Sequence, residues 1–451
     1  MKNFVVIGGG TVSHVRNHLA LCAPAYGTTA KKMFTMLYHK LGVSGAEASL
    51  REYGYWPSRQ EFDVQLYLTK MAGHDEYAQP SNLETNEDVS KLVDELIADP
   101  NTKAIIFNPA LVDFEGGIEK EPHLEDKTKD YFEFSTVTSS GKYEPRLKTS
   151  EGEQTMLLWP AEKLVKKIRK ERKDIFLVAF KTTCGATEDE QFLTGLHLLK
   201  SNSCNLVLAN DTKTRVNMII TPEQARHCVT TDRDIALDML MEMTISRSKG
   251  TFTRSKVVTG RGVPWGHELV PSSLRAVVDH CVKAGAYKPF QGSTVGHFAV
   301  KVDDNKFLTS MRKTNYNQLE ELALVHANGD NEVWSQGGKP SVGGQSQRIV
   351  FREHPGMDCI VHFHCPPKPG AKLSVRDQAP YECGSHECGK NTSAGLREEE
   401  TGIKCVYLDN HGPNIVFNRN VDPERVIKFI EENFDLTKST DGVDRTKVAV
   451  V

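Results

Sequence analysis

Ile360-Val361-His362-Phe363-His364 sets two histidines two residues apart in an apolar, strand-like run. Alternation along a strand sends both imidazoles to one face, where they could bind one ion. A third histidine stands in Asn410-His411-Gly412, at the end of a second short apolar run. Three imidazoles with a position left open form the donor set of a catalytic zinc or other divalent site. Spacing alone leaves a plainer reading beside it, in which His362 and His364 are hydrogen-bonded core histidines and His411 a turn residue. Cys383-Gly384-Ser385-His386-Glu387-Cys388 has half the pattern of a structural zinc site. Thiols packed near a loop fit that pattern better.

A second set of residues lies toward the N-terminus. Phe4-Val5-Val6-Ile7 runs into Gly8-Gly9-Gly10-Thr11, a glycine turn of the kind that lets a phosphate approach backbone N–H groups, and equally of the kind found in plain strand-to-helix connections. Gly141-Lys142, Arg146-Leu147-Lys148, the strand end Phe180-Lys181-Thr182-Thr183 and the strand end Ala209-Asn210-Asp211 follow. Lysines at strand ends suit a nucleoside triphosphate or acyl phosphate, and Asn-Asp suits ribose or base contacts. Singly, each has a simpler role: Lys148 and Lys181 as solvated side chains, Asn210-Asp211 as a turn cap.

These groups need elements to hold them. Residues 4–7 read as a first strand, 29–41 and 89–97 as helices, and 103–107 as a strand. Trp159-Pro160 opens a predicted basic amphipathic helix to residue 172, its charges a solvated face. Strand 175–180, helix 188–200 and strand 205–209 complete a βαβαβ alternation, which argues for a parallel, doubly wound sheet. Residues 246–266 lack apolar periodicity and read as linker, placing a boundary near 262, with domains 1–262 and 263–451. Beyond it, helix 272–284 and short strands at 296–302, 306–309, 360–364, 405–408 and 415–417 argue for an α/β domain with a largely antiparallel sheet. The tail after Phe434 is polar and reads as frayed.

Composition narrows the partners. The 451 residues carry 56 Lys+Arg against 59 Asp+Glu, a net charge of −3, so there is no electrostatic case for nucleic acid or an anionic membrane. No apolar stretch approaches the ~20 residues of a spanning helix, and no signal peptide is evident, so the expected location is the cytoplasm. There the ten cysteines are expected as thiols or metal ligands.

Lys339-Pro340-Ser341, then His354-Pro355-Gly356-Met357-Asp358-Cys359 leading into the His362/His364 pair, then Leu408-Asp409-Asn410-His411-Gly412-Pro413, resemble the class II aldolase/adducin family over about residues 272–434. That resemblance implies His362, His364 and His411 as ligands of a catalytic zinc. It also exposes a departure: the family's acidic residue after its P-S-S tripeptide falls at Gly343, which cannot take a proton. Tyr381, Glu382 and His386 are then the acid/base candidates. The family's substrate loops correspond to Thr294-Val295-Gly296-His297 and Thr309-Ser310-Met311-Arg312-Lys313, which implies Thr309, Ser310, Arg312 and Ser341 on the substrate side.

In order, the N-terminal motifs resemble phosphopantothenoylcysteine synthetase over about residues 1–223. This implies a Rossmann-like fold binding CTP or ATP with Mg2+, with Gly9, Gly10, Thr11, Lys181, Lys200, Asn210 and Asp211 on the nucleotide side. The family's N-x-S-S-G segment is Ala23-Pro24-Ala25-Tyr26-Gly27 here, so nucleotide binding is expected to survive better than ligation. Together the two resemblances imply a two-domain metal-dependent lyase, epimerase or dehydratase acting on a small carbonyl-containing phosphate or carboxylate. The alternatives are a carboxylate–amine ligase or a non-catalytic binding protein. Relatives of the first kind form cyclic tetramers and of the second dimers, implying a homo-tetramer or octamer.

Overall fold

The structure is a computed structural model and describes residues 1–42, 61–119, 139–329, 331–341 and 344–443. The chain divides into two compact units, Met1–Lys181 with His197–Leu208, and Thr182–Leu196 with Ala209–Val451. Among the described residues no helix is long and apolar enough to cross a membrane.

The first sheet is doubly wound α/β. Its strands are β1 (Lys2–Gly10), β2 (Phe62–Leu68), β3 (Thr102–Ala110), β4 (Phe176–Thr183), β5 (Leu206–Asp211), β6 (Asn217–Ile220) and β7 (Arg226–Thr230), in the order β7-β6-β5-β4-β3-β1-β2. β1 pairs in parallel with β2 and β3, Phe4 opposite Val64 and Ala104, and β3 pairs in parallel with β4. Phe4, Val5, Val6 and Ile7 are fully buried, the continuous apolar signature of a strand covered on both faces. The helices are α1 (Thr28–Lys40), α2 (Asn86–Ala98), α3 (Val165–Glu171), α4 (Glu188–Asn202) and α5 (Arg233–Ser248). Thr85 starts α2 through a capping box with Asp88.

One expected helix is corrected here. Trp159 and Pro160 close a strand, Met156–Pro160, paired antiparallel with Phe114–Ile118, and the helix begins only at Val165. The apolar run before Pro160 finds a distant partner strand, which outweighs local helical spacing.

The second sheet is largely antiparallel and has eleven strands. Its main path uses β8 (Arg254–Val257), β9 (His297–Lys301), β10 (Lys306–Thr309), β11 (Glu321–Ala327), β12 (Glu332–Gln336), β13 (Cys359–His362), β14 (Val375–Arg376), β15 (Ile403–Leu408) and β16 (Gly412–Phe417). The order is β8-β12-β11-β10-β9-β13-β16-β15-β14. β8 arises from the stretch read as linker and joins β12 in parallel. Helices α6 (Ser272–Lys283), α7 (Gly344–Glu353), α8 (His386–Gly395) and α9 (Pro423–Asn433) accompany it.

Alternation divides this sheet's side chains between two cores. Val361, Phe363, Ile415 and Phe417 pack with α6 and α9, while Ala299, Ile360, Val406 and Val416 pack with Val350 and Phe351 of α7. The tail is not frayed as far as it is described: Asp435 N–H donates to the Pro366 carbonyl, Thr440 N–H to the His364 carbonyl, and Arg226 Nε to the Asp441 carbonyl at 2.6 Å. Asp441 is buried. Backbone groups, which the side-chain pattern does not advertise, hold this segment down.

Candidate metal centre

Strand register builds the centre at one end of the second sheet. His297 stands opposite His362, Ala299 opposite Thr309, His362 opposite Asn414, and Leu408 opposite Gly412, so β9, β10, β13, β15 and β16 all bring an end there. His362 lies two residues beyond Ile360 and therefore on the α7 face of the sheet. His364 follows just past the end of β13, and His411 sits in the turn between β15 and β16.

Two glycines let the backbones close in. A Cβ on Gly412, whose φ is +132°, would lie 2.2 Å from the Phe363 carbonyl oxygen. One on Gly296, φ +118°, would lie 2.5 Å from the His362 carbonyl oxygen. Side chains at these positions would push the strand ends apart.

His362, His364 and His411 are all buried, and one ligating atom from each lies within 4.8 Å of the others. Ring centroids are 4.6 Å apart for His362–His411, 4.9 Å for His364–His411 and 5.1 Å for His362–His364. His362 Nδ1 donates to the Pro413 carbonyl at 2.7 Å, which fixes the tautomer and leaves Nε2 as its ligand atom. Burial first, then the His411, His297 and His364 rings, push the His362 pKa well below its ordinary value, against the pull of Pro413. A desolvated, neutral imidazole is the form a metal ion binds. The donor set therefore fits a divalent ion of the zinc type with a position left for substrate. Among the described residues it is the only such group, and Cys383 and Cys388 are outside it. Cys388 is a buried thiol whose Sγ lies 3.5 Å from Gln378 Nε2.

Gln347 of α7 reaches His297, its Nε2 2.8 Å from the ring's Nδ1. Burial, then His411, lower the His297 pKa to about 3. Also in the second unit, Arg247 of α5 is fully buried between two carboxylates: Glu223 in the β6–β7 turn, at 2.7 Å, and Glu382, at 3.6 Å. Its Nε donates to the Ala379 carbonyl at 2.7 Å. Burial opposes ionisation of Glu223, but the charge and hydrogen bonds of Arg247, aided by His411 and His227, hold its pKa below the ordinary value.

The expected site residues are placed as follows. Of the acid/base candidates, Glu382 joins Arg247, and with Tyr381 it lines a cavity of ≈ 270 Å³. His386 opens α8 with its Nε2 2.9 Å from Thr253 Oγ1. Gly343 lies outside the described residues. On the substrate side, Thr309 and Ser310 are buried, Thr309 Oγ1 donates to the Phe298 carbonyl, Ser341 N–H donates to the Ser310 carbonyl, and Arg312 is exposed.

On the nucleotide side, a Cβ on Gly9 would lie 2.2 Å from Thr69 Oγ1, and one on Gly10 would lie 2.0 Å from the Ala23 carbonyl oxygen, so both glycines accommodate the chain's own packing. Gly10 N–H donates to the Ala25 carbonyl. Thr11 is fully buried, donating to Asn86 Oδ1 at 2.7 Å and accepting from Val112 N–H. Asp211 accepts from Thr183 Oγ1 and from the N–H groups of Gly185, Ala186, Lys213 and Thr214, which makes it the organiser of two turns; the Thr214 N–H first, then the Gly185 N–H, the Thr183 hydroxyl and the Ala186 N–H, lower its pKa against the pull of desolvation. Asn210 accepts a long contact from Thr182 Oγ1, 3.4 Å, while Lys181 and Lys200 are partly exposed.

Sequence reasoning had His297 only as the end of a substrate-loop stretch implied by resemblance, and it missed Gln347, Glu223 and Arg247 as members of this region. Alternation in Gly296-His297-Phe298-Ala299 carried a signal for the first, since His297 shares the face of Ala299. The other three have no local signature.

Residues 276–368, which include His297, His362 and His364, match the family model of the Class II Aldolase and Adducin N-terminal domain. No curated protein matches the chain. Among solved structures, it is similar to the DNA/pantothenate metabolism flavoprotein from Streptococcus pneumoniae, at 17% identity over 54% of this chain and 97% of that one, with a TM-score of 0.39. It is also similar to the C-terminal domain of the coenzyme A biosynthesis bifunctional protein CoaBC, at 13% identity over 54% and 94%, with a TM-score of 0.35. A third similarity is to L-fuculose 1-phosphate aldolase, at 16% identity over 36% and 81%, with a TM-score of 0.27.

Proposed function

We propose that the chain is a metal-dependent enzyme of the class II aldolase type, a lyase, epimerase or dehydratase acting on a small carbonyl-containing phosphate or carboxylate. One observation carries this reading: three buried imidazoles offer ligating atoms within 4.8 Å of one another. His362, His364 and His411 would hold the ion, with zinc the best match to an all-nitrogen set. A bound divalent ion would supply Lewis-acid polarisation of a substrate carbonyl. The chain's own residues do the rest: Pro413 orients His362, the burial of the three rings excludes water, and Tyr381, Glu382 and His386 are the candidates for moving the proton.

Metal analysis of the purified chain tests the reading. About one zinc per chain is expected for the wild type and none after His362→Ala/His364→Ala. Full occupancy in that double variant would sink it.

A second reading, a binding protein without catalysis, draws on the glycine at position 343. Exchange of a substrate's α-proton with deuterated solvent separates the two. The N-terminal motifs support a CTP- or ATP-binding role for the first domain, and the two family resemblances support a tetramer or octamer. Mass measurement in solution at micromolar concentration checks the assembly, and a monomer would refute it.

A further inference from the structure

Beside the three ligand histidines stands a fourth that the ion-binding set leaves out. His297 shares their face of the sheet, and its ring centroid lies 4.8 Å from that of His362, with the planes inclined by 34°. Its one hydrogen bond among the described residues is Nδ1 to Gln347 Nε2, at 2.8 Å. Gln347 is fully buried, and its Oε1 has no partner, so the amide is spent on His297 alone. With the amide donating, Nδ1 accepts and the ring proton resides on Nε2. The His297 ring is thus held by one nitrogen, and the residue is partly exposed.

We propose that His297 is the substrate-oxygen donor of this site, oriented by Gln347 and donating from Nε2–H to an oxygen of a molecule bound beside His362, His364 and His411. The ligand class follows: a small molecule with a carbonyl, carboxylate or enediolate oxygen next to the oxygen that the ion takes. His297 contacts substrate, and Gln347 is a positioning residue acting through it. The inference rests on the metal-dependent reading above.

The test uses the full chain loaded with cobalt(II), whose visible bands report entry into the coordination sphere, titrated with oxalate. Wild type, His297→Phe and His297→Gln should take up equal cobalt. Loss of one hydrogen bond to a charged oxygen should raise the oxalate dissociation constant of His297→Phe about tenfold. His297→Gln, which keeps an N–H donor, should stay within about threefold of wild type, and Gln347→Leu should fall between. Loss of cobalt from His297→Phe while His297→Gln keeps it would make His297 a ligand and overturn the proposal, as would unchanged oxalate affinity in fully loaded His297→Phe. A wild-type chain that takes up no cobalt would sink the metal reading itself, and this inference with it.

Discussion

His362 and Pro413 are joined across β13 and β16 by a 2.7 Å hydrogen bond from Nδ1 to the carbonyl oxygen. That bond makes the direction of the His362 ring a property of sheet register, because Asn414, next to Pro413, stands opposite His362. The three-histidine group is thereby preorganised for the ion proposed above.

Gly412→Ala should damage the site from outside the ligand set. The new methyl would meet the Phe363 carbonyl oxygen at 2.2 Å, on a backbone at φ +132°. We expect a stability loss of about 1–3 kcal/mol and weaker zinc retention against a chelator. Gly266→Ala, where a Cβ meets nothing within 4 Å, is the control and should change neither.

Without metal, stability should fall as the solution is acidified. His362 and His297 are neutral in the fold, with pKa values below the ordinary 6.5, about 3 for His297. The unfolded chain therefore binds protons first, so the stabilisation is complete above about pH 6.5 and is lost as pH drops toward the folded values. The slope approaches about 1.4 kcal/mol per pH unit for each histidine. Urea unfolding of the metal-free chain across this range measures it, and a flat profile would mean that the rings titrate in the fold as they do in the unfolded chain.

Arg247→Met should cost about 3–5 kcal/mol, because it leaves Glu223 and Glu382 buried without their cation. Adding Glu223→Gln should recover part of that loss rather than deepen it. A double-mutant cycle by urea unfolding reads the coupling. Simple additivity would contradict the ion pair seen at 2.7 Å.

Calorimetry with CTP and with ATP, magnesium present, should show binding to the wild-type chain. Asp211→Ala should lower the unfolding midpoint, because five donors lose their acceptor. If the variant kept its stability yet lost nucleotide binding, Asp211 would contact ligand directly instead of organising its turns.

Much of this was legible in the chain itself. The buried strand at 4–7, the βαβ alternation and the H-x-H pair are local patterns, because a period of two decides which way His362 and His364 face whatever they meet. His411 was a candidate from its place at the end of a second apolar run, beside the plainer reading of a turn residue, and its family motif added to the ligand reading. What tertiary structure alone decided is which distant groups share a buried volume: Glu223 with Arg247 and Glu382, Gln347 with His297, the tail at Thr440 with His364, and Met156–Pro160 with Phe114–Ile118. Burial makes each of these pairings necessary, since a charge or polar group removed from water must find a partner. The identity of that partner follows from strand order and loop path, which residue types and spacing do not encode.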